Sequence, residues 1–154
     1  IWCHGDWAEI TKNGGIIISG RSDTILNPGG VRIGTAEIYR EVEKIPAVLE
    51  SIAVGQAWEG DVRIILFVVL REEKELTDSI QDDICQILKR NASPRHVPAK
   101  IIKVTDIPRT RSGKITEIVV KDLIHKRPIS NKEAISNPEI IEEFKSKAEL
   151  LNNP

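Results

Sequence analysis

Methionine is absent from all 154 residues, and the chain opens on Ile1. The expectation is a severed piece of a longer protein rather than an intact reading frame. Cysteine is scarce as well: Cys3 and Cys85 share no CxxC spacing, which argues against a disulfide framework or a zinc ribbon. His4, His96 and His125 are scattered, with no thiolate or carboxylate at ligand spacing, so no metal site is expected. Long apolar runs are missing too. The longest, Ile64 to Leu70, is seven residues, against the roughly 20 that a membrane-spanning helix needs. Ile1-Trp2-Cys3-His4-Gly5-Asp6 has neither the basic start nor the apolar stretch of a secretory signal. A formal net charge of -1 gives no overall case for nucleic-acid or anionic-membrane binding. These absences point to a soluble, cytoplasmic piece.

The residues present suit an ordinary core. At 40% hydrophobic and 29% charged, the chain fits one domain, or a small domain carrying part of a neighbour. Trp7–Ile10 and Ile16–Ile18 flank Thr11-Lys12-Asn13-Gly14-Gly15, and Asn-Gly predicts a hairpin. Gly20, Ser22, Asp23, Asn27, Pro28, Gly29, Gly30 and Gly34 then form a turn-dense stretch where a domain boundary is expected. Downstream, Thr35 is a candidate cap for a helix with Ile38, Val42 and Ile45 on one face, ended by Pro46. Strands are predicted over about 50–57 and 63–70. The second is apolar on both faces and belongs in the middle of a helix-covered sheet. Thr77 and Asp78 open a helix with Ile80, Ile84, Ile87 and Leu88 on one side. A short strand over 99–104, a loop over 105–114 and a helix from Ile115 to about His125 follow. After a linker over 127–137, Asn137 is the expected cap and Pro138 the first residue of a final helix. The prediction is a small α+β domain of three strands and three or four helices. Whether Ile140, Ile141 and Phe144 dock the last helix here or on another domain stays open.

Three stretches could carry chemistry. Pro108-Arg109-Thr110-Arg111-Ser112-Gly113-Lys114-Ile115 sets three cations on a loop of small residues just before a helix. Between Arg95 and Arg127 there are nine Lys/Arg against three Asp/Glu, which suits a polyanion. The loop is not a Walker motif, since Pro108 replaces its first Gly and Ile115 the Ser/Thr that would hold magnesium. From charge alone, a solvated surface loop is the stronger reading. Asn27-Pro28-Gly29-Gly30-Val31-Arg32-Ile33-Gly34-Thr35 could bring backbone close to a ligand, or simply turn. In His4-Gly5-Asp6 and Gly20-Arg21-Ser22-Asp23, a carboxylate and a guanidinium stand fifteen residues apart and could meet on one ribose.

Taken together and in order, HGDWAEI, ISGRSDTILNPGGVRIGTAEIY and PRTRSGKI resemble three consecutive core motifs of the adenylate-forming acyl-CoA synthetase superfamily, over essentially residues 1–126. The resemblance implies the end of a large adenylation domain at 1–22 and a small mobile domain at 23–126 with its hinge at 20–30. Residues 127–154 would be a C-terminal linker and helix. The tail from His125 to Ala134 and the Leu-Asn-Pro-Gly-Gly-Val wording are most like the acetoacetate-activating members; acetyl- or propionyl-activating ones are the alternative.

Also implied is an ATP-dependent ligase. A carboxylate attacks the α-phosphate of Mg2+-bound ATP, and CoA then displaces AMP from the acyl-adenylate. Lys114 matches the adenylation lysine, which in relatives is also a target of lysine acetyltransferases. Asp6 and Arg21 match ribose-binding positions, Arg32 a phosphate contact, and Asp23 the hinge residue. Gly29 and Gly30 match the pantetheine channel, and Lys89 the register of a CoA-contacting arginine. The upstream acyl pocket and phosphate loop are missing, so this piece alone should turn nothing over. Two rivals from other classes are a stand-alone module binding CoA or a partner protein, and a weak RNA surface at Arg95–Arg127, which lacks stacking aromatics.

Overall fold

The computed structural model describes residues 6–21 and 23–148. Readings that rest on Cys3, His4, Gly5 and Ser22, on the side chain of Arg21, or on the last six residues lie outside the described part. Strand β1 (Asp6–Ile10) pairs antiparallel with β2 (Ile16–Arg21) as the hairpin signal predicts. Gly14 takes a positive φ of 77°, and the Thr11 hydroxyl accepts from Gly15 N–H at 2.9 Å to close the turn.

A second sheet organises the rest: β3 (Val48–Trp58), β4 (Asp61–Leu70) and β5 (Lys100–Lys103), in the order β3-β4-β5. Strands β3 and β4 are antiparallel, whereas β5 runs parallel to β4, reached through helix α2 (Asp78–Asn91). Strand β4 is central because it has no polar face to give to water. Ile64, Leu66, Val68 and Leu70 pack with Ile38 and Val42 of α1 (Thr35–Val42) and with Ile84 and Leu88 of α2. Ile65, Phe67 and Val69 point the other way, onto Val119, Val120 and Leu123 of α3 (Glu117–Ile124) and Ile140, Ile141 and Phe144 of α4 (Ile140–Ala148). The result is helix–sheet–helix in three layers, the alternation of one strand feeding two cores. Among the described residues, no helix is long and apolar enough to cross a membrane.

The last helix docks on this domain, which the sequence left open. Phe144 is fully buried, with its ring 4.8 Å from that of Phe67 and tilted by 49°. Three local expectations change. Thr35 does not cap α1: the N-cap is Gly34, without a side-chain bond, while the Thr35 hydroxyl donates to Glu117 Oε1 at 3.4 Å. Helix α3 begins at Glu117 rather than Ile115, because Ile115 is taken by a β-bridge to Arg109. Helix α4 begins at Ile140 rather than Pro138, and Asn137 is not its side-chain cap, since its amide is committed to the loop before α3. By contrast Thr77 caps α2 as expected, accepting from Ile80 N–H at 3.3 Å.

Strand β3 is an edge, and three of its outward amides are covered by side chains. Glu43 accepts from Ser51 N–H at 3.2 Å, the Tyr39 hydroxyl from Ala53 N–H at 3.0 Å, and His125 Nε2 from Ala57 N–H at 3.0 Å. Side chains from both helical layers thus blunt an edge that could otherwise recruit another strand.

Candidate functional site

Residues 109–115 form a small hairpin of their own. Arg109 bridges to Ile115, Thr110 N–H donates to Lys114 O at 2.9 Å, and Gly113 N–H donates to Thr110 O at 2.8 Å. Gly113 has φ 81°, a conformation that a residue with a Cβ rarely adopts, so the turn is made there. The Thr110 hydroxyl accepts from Lys114 N–H at 3.2 Å and lies 2.8 Å from Ser112 Oγ. Small hydroxyl residues therefore close this turn by satisfying its backbone.

The three cations of the loop are not equivalent. Arg109 is paired with Glu50 of β3 and lies 4.0 Å from Asp106. Arg111 Nη2 donates to Glu133 O at 3.2 Å. Lys114 is exposed at the tip, and its ammonium has no hydrogen bond or ion pair among the described residues. Two of the three positive charges seen in the sequence thus hold the loop together, and the third is presented outward.

The loop is braced from the tail. Thr110 bridges to Ile135, Ser136 N–H donates to Arg109 O at 2.8 Å, and Arg111 N–H donates to Ala134 O at 3.2 Å. Nothing in the hydrophobic pattern of 127–137 announces this pairing, since the segment reads as polar and turn-prone.

The glycine stretch sits in the other layer. Leu26 and Ile33 bridge to each other and are buried, 2% and 1% exposed, in the core shared with α1 and α2. Between them Gly29 and Gly30 take φ values of 58° and 77°. Gly29 N–H donates to both carboxylate oxygens of Asp61, at 3.1 and 3.0 Å. A Cβ at Gly29 would lie 2.9 Å from Arg95 Nη1, so a side chain there would have to displace the guanidinium. Ile107 and Ile115, which root the lysine loop, pack instead in the core shared with α3 and α4. The glycine loop and the lysine loop are therefore carried by opposite layers of the domain.

The other sequence candidates are placed as follows. Asp6 and Arg21 are Cα partners across the β1–β2 register, so residues fifteen apart do come together. Asp23 lies in an exposed turn, and exposed Arg32 follows the double glycine. Lys89 is exposed in the last turn of α2, with Arg90 beside it in an open depression lined by Lys44, Asp83 and Gln86. The lone-histidine pattern concealed a polar cluster: buried His96 has Nε2 2.8 Å from Glu37 Oε2 and Nδ1 2.8 Å from Ser93 Oγ. Also unforeseen is Tyr39, whose hydroxyl donates to Glu117 Oε1 at 3.0 Å while accepting from Ala53. Burial first, then the neighbouring Glu117 charge, holds its phenol well above the ordinary range.

Residues 40–114 match the model of the AMP-binding enzyme C-terminal domain. The chain carries an AMP-binding enzyme C-terminal domain. Its match ends on Lys114, the exposed tip of the braced loop. Likeness to individual proteins runs further. The acetoacetyl-coenzyme A synthetase of Rhizobium meliloti (strain 1021) is 57% identical over 150 residues, 97% of this chain and 23% of that protein. An acetoacetyl-CoA synthetase of Caenorhabditis elegans is 46% identical over 93% of this chain and 21% of its own length. Among solved structures, the acetoacetyl-CoA synthetase from Streptomyces lividans superposes with a TM-score of 0.86 at 37% identity, over 97% of this chain and 23% of that one. The chain thus spans about a quarter of the length of these relatives, and the likeness continues through the tail that braces the AMP-binding C-terminal domain.

Proposed function

We propose that the chain is the mobile C-terminal arm of a cytoplasmic, ATP-dependent, AMP-forming acid–thiol ligase that converts acetoacetate to its CoA thioester. The observation that carries this reading is the likeness to acetoacetyl-CoA synthetases through 97% of the chain, domain and tail alike. In this reading residues 1–22 close the large domain, the chain hinges at 20–30 about Asp23, and 23–126 with its docked tail swings as one body. Residues 127–154 remain the C-terminal linker and helix.

The chemistry follows from the exposed residues. A carboxylate attacking the α-phosphate of ATP gathers negative charge on the transferring centre. An unpaired ammonium on a fixed loop, Lys114, meets that charge without first having to break an internal bond. Asp6 and Arg21 would hold the ribose, and Arg32 a phosphate. In the thioester-forming step CoA would enter along Gly29 and Gly30, with Lys89 near its charged end. The placement of the two loops in opposite layers supports two presentations of one domain: a rotation exchanges which layer meets the large domain. Mg2+ would enter bound to the nucleotide. The exposed ammonium is also open to a lysine acetyltransferase, and neutralising it would remove the charge that the first step needs.

The test is Lys114→Ala in the complete ligase, with the half-reactions measured apart. Adenylate formation, followed by pyrophosphate exchange, should fall about 10²–10³-fold, the scale of losing one electrostatic transition-state donor. Thioester formation from supplied acyl-adenylate should persist. Equal loss of both half-reactions refutes the role. Comparing kcat/KM for acetoacetate, acetate and propionate decides the carboxylate.

A further inference from the structure

Lysine ends in a flexible four-carbon stem, so the position of its ammonium is restrained mainly by where the backbone is held. At the root of the Lys114 hairpin that hold comes from Asn137. Its Oδ1 accepts from Arg109 N–H at 3.0 Å, and its Nδ2 donates to Asp106 Oδ2 at 3.0 Å and to Ile107 O at 2.9 Å. Every contact fits the amide in this orientation alone. A flipped amide would face one donor with a donor and two acceptors with an acceptor. Residues 133–136 then run beside the hairpin through the Ile135 bridge and the bonds from Arg111 and Ser136. This rib does not float, because Ile135 shares a core with Ile140, Ile141 and Phe144 of α4. It lies wholly beyond residues 40–114, the part that matches the family model.

We propose that Asn137 is a positioning residue for Lys114, and that the rib over 131–137 sets the geometry in which the lysine loop is delivered for adenylation. This rests on the ligase reading above. Among the described residues the Asn137 side chain bonds to the loop root alone, so its effect should reach the reaction through Lys114. The thioester-forming face, carried by the glycine loop in the opposite layer, should not register its loss.

The experiment uses the complete ligase with Asn137→Ala and, as a second perturbation of the same rib, Ser136→Pro, which removes the N–H that donates to Arg109 O. Each should slow adenylate formation about ten- to a hundredfold, the range in which misplacement by about an ångström acts, and leave thioester formation within about twofold. Asn137→Asp keeps the acceptor for Arg109 but sets a carboxylate against Asp106, so it should not restore the first step. Ser51→Ala gives up a bond from Ser51 Oγ to Glu43, the C-cap of α1, at 3.2 Å. It should lower the Tm without moving the ratio of the half-reactions. If Lys114→Ala abolishes adenylation while Asn137→Ala and Ser136→Pro leave it within twofold, the positioning role is overturned and the ligase reading stands. If the rib variants depress both half-reactions in equal proportion, the role is overturned as well, being structural only. If Lys114→Ala itself spares adenylation, the ligase reading falls and takes this inference with it.

Discussion

Truncating Phe144 to alanine tests whether the tail belongs to the folded domain. Phe144 and Phe67 are both fully buried, with rings 4.8 Å apart and tilted by 49°, so the substitution empties a closed space between α4 and the sheet. Phe→Ala in a core costs about 3–5 kcal/mol, the lost transfer energy plus the cavity left behind. About 0.5–1.5 kcal/mol of that belongs to the tilted aromatic pair. At this chain length 1 kcal/mol moves Tm by roughly 2–4 °C, so the melting point should fall by about 6–20 °C. Urea unfolding of the chain followed by circular dichroism should show a lower midpoint with a similar slope, because the native fold and the area exposed on unfolding are retained. Lys145→Ala is the control on the same helix. It removes an exposed ion pair to Glu142 and should stay within about 0.5 kcal/mol of wild type. If Phe144→Ala unfolded within about 1 kcal/mol of the parent, α4 would not be packed on this core. The rib that braces Lys114 would then lose its anchor.

Two further outcomes concern polar groups that the fold has captured. Tyr39→Phe should cost about 1–3 kcal/mol, since Ala53 N–H and Glu117 each lose a partner at a half-buried place. Tyr39 is the only tyrosine in the chain, so an ultraviolet titration reads it alone. Phenolate absorbance should stay absent at pH about 11, a unit above the ordinary phenol value near 10, while the chain remains folded. The Glu41 carboxyl is held below its usual range by hydrogen bonds from Lys44 first and then Asn91. A depressed folded pKa stabilises above the unfolded value and is lost as pH falls through the folded one. Glu41→Gln should therefore weaken the chain at pH 7, and the gap to wild type should close below about pH 4, under the free glutamate value near 4.3. A gap that widened on acidification would reverse the sign of the argument.

Elements with strong periodicity are legible in the sequence. The doubly apolar run Ile64–Leu70 lies in the central strand, the Asn13-Gly14 signal makes the first turn, and Thr77 caps α2. Capping at Thr35 and Asn137 was misread for one common reason. Both side chains found better partners far along the chain, at Glu117 and at Asp106, Ile107 and Arg109. The candidate site divides in the same way. Lys114 and the double glycine stand out by composition, whereas the His125 cover over the β3 edge and the His96–Glu37 contact join residues more than fifty positions apart.

By itself, then, the sequence determined which segments are strands and helices, where the loops fall, and which residue types could meet a phosphate or a ribose. These are properties of neighbours, written in periods of two and 3.6 and in the chemistry of single side chains. Only the tertiary structure decided that β5 runs parallel to β4 and that the two loops occupy opposite layers. It alone decided which of the loop's three cations is left unpaired, and that a polar tail serves as the rib holding Lys114. Those outcomes depend on hydrogen bonds between residues more than twenty positions apart, whose partners are selected by packing rather than by local pattern.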